Sequence, residues 1–486
     1  MRKRFEAQMI LGSIPIDLIQ IPTKCRDEMP GFLRAMQYIY CNQEVSEQVY
    51  SLLESVICTK KPTGRPGMDL WTIFVLAGAR LCLNADYDRL HYISNTDNLL
   101  RQILGVQDGF LPGRDFDRQT IIDNVQLLDD ETLKKINQII VDTGHRLVKK
   151  KETEALLIKI DSFVTESNVH FPTDYNLLWD SARKCLDTIE HLIKRYPDYN
   201  VGWRKIKNWH KRLKSLMLKV GRATADKSKN RADRLVKTAS EYLQVARLLL
   251  AKLSDYTQIN PQHIREKLLL EQLKYYYAML DKHIDLVDRR LLKGEVIPQD
   301  EKIFSIFEPW TEWICKGKSH KLVELGKRTC IATDQWHFIV DWCVSDHQQD
   351  SQLLIPFVDK IREYYKNVSQ VSCDKGFYSK FDVELLKIFD INPIIPKKGR
   401  LSQADIQREN DPAFIKAKRA HSAVESNINE LEHRGLDRCP DKGLLGFHRY
   451  VGLGVIAYNL HKIGNILLEQ DRQKAKNKLI KQQLAA

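Results

Sequence analysis

From residue 176 to residue 300 the chain reads as long helices with no strand signal, and strand-like runs flank this block on both sides. LLWDSARKCLDTIEHLIKRY, WRKIKNWHKRLKSLMLKV, ADRLVKTASEYLQVARLLLAKL and QHIREKLLLEQLKYYYAMLDKHIDLVDRRLL repeat their apolar residues at helical spacing. Before the block, LLIKID (156–161) is an apolar, β-branched run. After it come KRTCIAT (327–333) and HFIVDWCVS (337–345), separated by Asp334, Gln335 and Trp336 in hairpin fashion. The helix SQLLIPFVDKIREYY, a strand over 368–373, the helix KFDVELLKIF and the strand NPIIP then alternate, an order that implies parallel crossovers. A sheet with strands on both sides of so long a helical block has to accept that block as an insertion. The expected fold class is therefore α+β, a mixed α/β sheet carrying a large all-helical insertion.

The rest of the chain fits several domains, since 486 residues exceed what one ordinary core holds. Residues 1–60 read as polar helices. After the break GRPGM (64–68), MDLWTIFVLAGARLCL, DYDRLHYIS and TDNLLRQIL read as three short helices, a unit that suits a helix-turn-helix-like module. Further helices are expected over 117–128 and 131–150. Ten scattered cysteines, with no CxxC pair and no zinc-like His spacing, point to reduced thiols in a cytosolic protein. No apolar run approaches a bilayer span, so no membrane partner is expected. The net charge of +13 is concentrated: residues 204–237 hold thirteen Lys and Arg against two Asp. A basic stripe with so few opposing acids is what replaces counterions along a nucleic-acid backbone, and Lys219, Arg222, Lys227 and Arg231 are its representative members.

Three carboxylates suggest the chemistry. Asp374 follows the buried run Val368–Cys373 in VSCDKGFYS, a place where capping a turn is the ordinary role of an aspartate. Asp161 closes LLIKID in the same manner. Glu425 lies in RAHSAVESNINELEHR (419–434), where Ala420, Val424, Ile428 and Leu431 form an apolar helical stripe and Glu425 borders it. Magnesium prefers oxygen ligands and needs few protein carboxylates, and a pair of such ions suits phosphodiester chemistry. Neither a GxSxG elbow nor a Gly-rich phosphate loop is present. Asp334, Asp341, Asp346 and Asp350 are nearby acids that could compete with Asp374, and Asp174 could assist or serve a turn.

LLIKIDSFVTESNVHFPTD, EKIFSIFEP with KGK at 316–318, VSCDKGFYS and RAHSAVESNINELEHRGLDRC resemble the motif series of bacterial insertion-sequence transposases of the DDE class. VGLGVIAYNLHKIG (451–464) is similar to the helix that follows the catalytic Glu in that family. The resemblance implies an RNase H-like catalytic core over 151–175 and 301–435, in which Asp161, Asp374 and Glu425 hold Mg²⁺ or Mn²⁺. It also implies a DNA-end-binding domain over 61–150, a basic insertion over 176–300, and a C-terminal helix and basic tail over 436–486. The implied activity is cleavage at transposon ends and joining of the freed 3′-hydroxyls to target DNA. The implied partners are double-stranded DNA (terminal inverted repeats and target) and further copies of the chain, in a prokaryotic, nucleoid-associated setting. Relatives carry Arg four residues before the Glu and a basic residue seven after it. Here His421 and Glu432 hold those places, with Arg419 and Arg434 nearby. DNA contact is therefore expected loosely of Arg419, His421 and Arg434, together with Lys318 and Lys375. Two alternatives share these features: a DNA-binding derivative without catalysis, and a plain RNase H-like nuclease.

Overall fold

The computed structural model describes residues 2–5, 14–57, 67–106, 113–200, 202–259, 261, 263–315 and 322–485. Two compact units emerge: Met1–Asn168 with Ile314–Ala486, and Val169–Trp313. The first is a mixed α+β body built on an open mixed sheet, and the second is helical.

The first unit begins with α1 (Met29–Cys41) and α2 (Gln43–Ile57). Phe32, Leu33, Met36 and Ile39 bury one face of α1, and Val45, Val49, Leu53 and Ile57 recur every fourth residue on α2. The next five helices each start on an aspartate: α3 (Leu70–Cys82) on Asp69, α4 (Tyr87–Thr96) on Asp86, α5 (Asn98–Ile103) on Asp97, α6 (Arg118–Val125) on Asp117 and α7 (Asp130–Leu147) on Asp129. Each carboxylate accepts the amide three residues on, which satisfies a donor the first turn would otherwise leave open.

β1 (Leu156–Ser167) follows and leads into the second unit. There α8 (Asp174–Arg195), α9 (Ile206–Ala225), α10 (Arg231–Thr257) and α11 (Ile264–Val287) enclose a core of their own, with Leu178, Leu186, Leu213, Tyr242, Leu249 and Leu273 fully buried. The all-helical insertion expected over 176–300 thus forms a unit slightly wider than that range.

After β2 (Glu312–Ile314), the first unit continues through β3 (Glu324–Thr333), β4 (Ile339–Val344), α12 (Asp350–Tyr364), β5 (Val368–Cys373), α13 (Lys380–Ile388) and β6 (Asn392–Ile394). α14 (Gln403–Glu409), α15 (Pro412–His421), α16 (Ala423–Leu431), β7 (Arg438–Cys439) and α17 (Leu444–Ala485) complete it. The sheet order is β2-β3-β1-β5-β6, with β4 antiparallel to β3 and β7 parallel to β1. The expected hairpin and the parallel crossovers are both present.

Two expectations need correction. The helices of 1–60 and 61–150 are not bodies apart from the sheet, because α17 packs against α1, α3 and α7. Every residue of α3 is buried, so this helix is a core element with no free face. A Cβ on Gly464 of α17 would stand 1.8 Å from the Gly31 carbonyl oxygen, so α1 and α17 meet backbone to backbone. Arg80 of α3 adds an ion pair to Asp441, with Nη1–Oδ2 at 2.9 Å. The second correction concerns apolar length. Leu444–Gln483 is long and apolar enough to cross a membrane by composition, yet 83% of its apolar window is buried inside the protein. That surface is already covered by helices of the same unit.

Candidate active site

β1 does not stop at Asp161, as its sequence suggests; it runs on to Ser167 and places the aspartate in mid-strand. What ends near Asp161 is the pairing on one edge. β3 accompanies β1 from Lys159↔Thr333 to Glu166↔Gly326. On the other edge β5 stays only to Ile160↔Cys373, and β7 joins only at Glu166↔Arg438. Residues 161–165 therefore face a gap in the ladder, and Asp374 stands at the mouth of that gap, one residue past the last β5 pair. Adjacent strands lie about 4.8 Å apart, so the two aspartates are neighbours across a strand spacing.

Alternation along the strands settles which face they share. Side chains change face at every residue, and direct cross-strand partners share a face. Lys159, Asp161 and Phe163 therefore lie with Ser372, Thr329 and Ile331 on one face, and Ile160, Ser162 and Val164 with Cys373, Cys330 and Arg328 on the other. Asp374 continues the Ser372 face. His421 at the end of α15 agrees with this placement, with Nδ1 3.2 Å from Ser372 Oγ. α16, which carries Glu425, packs against β1.

Each acid is held differently. Asp161 Oδ1 accepts the Ser162 amide at 2.7 Å. Asp374 caps its own turn, its Oδ1 accepting the Gly376 amide at 2.7 Å, so the capping role read from sequence is present and leaves Oδ2 for another partner. Glu425 is exposed in the first turn of α16, while Val424, Asn427 and Leu431 bury that helix. The helix expected over 419–434 is in fact broken at Ser422, whose hydroxyl donates to the Arg419 carbonyl at 2.8 Å, and Ala420 is exposed. The three carboxylates do not all lie within 4.8 Å of one another. Asp161 and Asp374 are brought together at adjacent strands, and Glu425 stands on the helix packed against β1.

Oxygen donors dominate this set. Cys373 lies on the other face, and burial, then the charges of Asp161, Asp374 and Asp350, push its thiol well above the usual range, so it stays protonated. The donor chemistry fits a hard divalent ion such as Mg²⁺ or Mn²⁺ and offers no thiolate for a softer one.

The competing acids have structural duties. Asp334 is fully buried, bonded to His145 Nε2 at 2.6 Å and to the Trp336 and Phe338 amides. Asp341 lies 3.2 Å from Lys134, and Asp346 2.6 Å from Lys327. Within the helical unit Asp174 starts α8 and pairs with Arg290 at 2.8 Å, as a turn residue would. Asp350 differs from these. Its Oδ2 and both Asp374 carboxylate oxygens lie within 3.5 Å of the point where a Cβ on Gly376 would stand. The sequence names it only as one of four acids that could compete with Asp374, and ranks it lower because it ends no strand; its place at the first turn of α12, the helix before β5, was the available signal.

The basic residues divide. Lys375 and Arg419 are exposed and have no ion-pair partner among the described residues. Lys318 and the KGK run lie outside the described residues. Arg434 is 6% exposed and bonded to Glu430 at 2.9 Å and to the Cys82 carbonyl at 3.2 Å, so its guanidinium is committed inside the protein and does not face DNA. His421 is held neutral, because burial pushes its imidazole down to about 4 despite the nearby Asp374 charge; it supplies no cation for a phosphate at neutral pH. In the helical unit, all thirteen cations of 204–237 are exposed, and Arg234, with Asp226, is the one in an ion pair among the described residues. Leu213, Leu216, Val220 and Ala223 bury one face of α9, while Lys207, Lys211, Lys214 and Arg222 occupy the opposite one and Lys219 flanks the buried stripe. Lys227, Lys229, Arg231, Arg234 and Lys237 continue the charge over the α9–α10 turn.

Comparison with family models, curated proteins and solved structures yields no match.

Proposed function

We propose that this chain is a DNA transposase of the DDE class with an RNase H-like core, hydrolysing phosphodiester bonds at element ends and joining the freed 3′-hydroxyls to target DNA. The observation that carries the reading is that Asp161 and Asp374 stand side by side, one residue past the last β1–β5 pair and beside a gap in the sheet, with the helix that bears Glu425 packed against β1. Asp161, Asp374 and Glu425 would hold Mg²⁺ or Mn²⁺, which supplies charge stabilisation for the attacking and leaving oxygens of a phosphodiester. The chain's own part is positional. The Ser162 and Gly376 amides each hold one carboxylate oxygen, Oδ1 of Asp161 and Oδ1 of Asp374, and so limit how the two aspartates can turn. Lys375 and Arg419 are the exposed cations that attract a DNA strand there, and Lys219, Arg222, Lys227 and Arg231 add sequence-independent grip in the helical unit.

The test uses a supercoiled plasmid carrying the DNA that flanks the gene, incubated with the full chain and Mg²⁺. Nicking or joining at defined flanking sites is expected, and chelation should stop it. Asp161→Asn, Asp374→Asn and Glu425→Gln should each abolish cleavage while DNA binding and the fold persist. Wild-type activity in any one of them removes that residue from the site. Equal cutting of any plasmid would mark a plain nuclease, and binding without cutting a derivative that has lost catalysis.

A further inference from the structure

We infer that Asp350 is a positioning residue for the carboxylate site, and that the Arg328–Asp350 pair sets how strongly the site holds a divalent cation. The inference rests on the metal-dependent reading above. Asp350 and its partners lie on the sheet face away from Asp161: Ser162 pairs with Cys330, and Arg328 with Val164, all on that far side. Asp350 Oδ1 accepts the Ser162 hydroxyl at 2.8 Å and meets Arg328 Nη1 at 2.9 Å. Its Oδ2 faces the turn of Asp374, 3.4 Å from the point where a Gly376 Cβ would stand. A single carboxylate of α12 thus binds β1 next to Asp161 and β3 through Arg328, and stands beside the turn that presents Asp374.

The charge matters as much as the tie. Arg328 sits behind the two aspartates with its side chain only 21% exposed, and an isolated guanidinium there would oppose a divalent cation on the other face. Asp350 cancels it. Two accounts of the pair then predict different signs. If Arg328 and Asp350 merely brace the fold, removing either loosens the site, and both changes weaken metal binding. If the pair tunes the field, removing the acid weakens binding and removing the cation strengthens it.

The experiment titrates Mn²⁺ into the full chain at fixed ionic strength, by calorimetry or by the loss of free Mn²⁺ resonance signal, with a melt of each variant alongside. Asp350→Asn keeps shape and should raise the Mn²⁺ dissociation constant about tenfold; Arg328→Gln should lower it about threefold or more; the double variant should return near wild type. Asp350→Glu keeps the charge and should retain most of the affinity. Weakening by both single variants, or no change in either, overturns the inference. Should Asp350→Asn fail to fold, Arg328→Gln decides alone: tighter binding supports the inference, and unchanged or weaker binding overturns it. Asp374→Asn is the reference for the parent reading. If it binds Mn²⁺ as wild type does, the metal site itself is wrong and the inference falls with it. If it loses Mn²⁺ while the Arg328 and Asp350 variants do not diverge, the site stands and only the inference fails.

Discussion

Gly376 shows how tightly the candidate site is built at the scale of a residue. A Cβ there would lie 2.9 Å from Asp374 Oδ1, too close for the carboxylate to keep its place. The atom that must yield is the end of a side chain, not backbone, so the fold loses little when it moves. Gly376→Ala should therefore melt within a few degrees of wild type yet cut flanking DNA about 100-fold more slowly, the cost of a displacement of order 1 Å in a reacting group. Full activity in this variant would mean that Asp374 need not hold its observed position. The three acids were legible in the sequence because apolar β-runs lead into two of them and a helical stripe borders the third. The gap that makes Asp161 accessible was not legible, since it depends on β7, two residues long, joining β1 only at Glu166. Arg434 was misassigned for a related reason. A charged residue near the motif reads as exposed until Cys82 and Glu430 are found around it.

Among elements, the α9–α10 hairpin and α17 show opposite uses of a long helix. The hairpin keeps its cations outside its own core, so reversing them should disturb binding and leave folding intact. Lys219, Arg222, Lys227 and Arg231 changed together to Glu should weaken DNA binding broadly, and the log–log salt slope should shrink by about 0.9 for each phosphate that is no longer neutralised. An unchanged slope, measured by fluorescence anisotropy between low and physiological salt, would return the stripe to an ordinary solvated surface. α17 instead runs for 42 residues, about 63 Å, and buries its first half within the protein. His461 on that buried half is 3% exposed, and burial, reinforced by Arg434, pushes its imidazole down to about 3. The unfolded chain takes up this proton near pH 6.5 and the folded chain does not. His461 therefore favours folding fully above about pH 6.5, and its share is lost as pH falls toward 3, by at most about 1.4 kcal/mol per unit. Denaturant melts across this range should show stability falling with acidity, and His461→Gln should flatten the fall. An equal slope in the variant would place the acid sensitivity elsewhere, His337, His421 and His448 being the other histidines lowered by burial in this unit.

At the scale of the whole molecule, the helical insertion was readable because its pattern lacks any alternating run, and its own buried cluster matches that reading. The division of the remainder was not readable. α3 is buried on every face, and nothing in its own residues says which element covers it. That element, α17, begins more than 350 residues later in the chain and no local pattern links the two. Folding consequences follow directly. A fragment ending at Lys150 lacks α17, leaving uncovered the faces of α1, α3 and α7 that pack on it, and removes the Asp441 partner of the buried Arg80. Breaking such a buried pair by itself costs about 3–5 kcal/mol, comparable to the whole stability of many small domains. This fragment should be poorly soluble or molten, without a cooperative melt. Residues 169–313 should behave differently, giving a helical circular dichroism spectrum, a cooperative transition and salt-sensitive DNA binding without sequence preference. End recognition, if it lies in the N-terminal helices, should then appear only when 1–168 and 314–486 are joined in one chain. A cooperative melt from residues 1–150 alone would show that those helices carry their own core, and that the unit built around α17 is divisible after all.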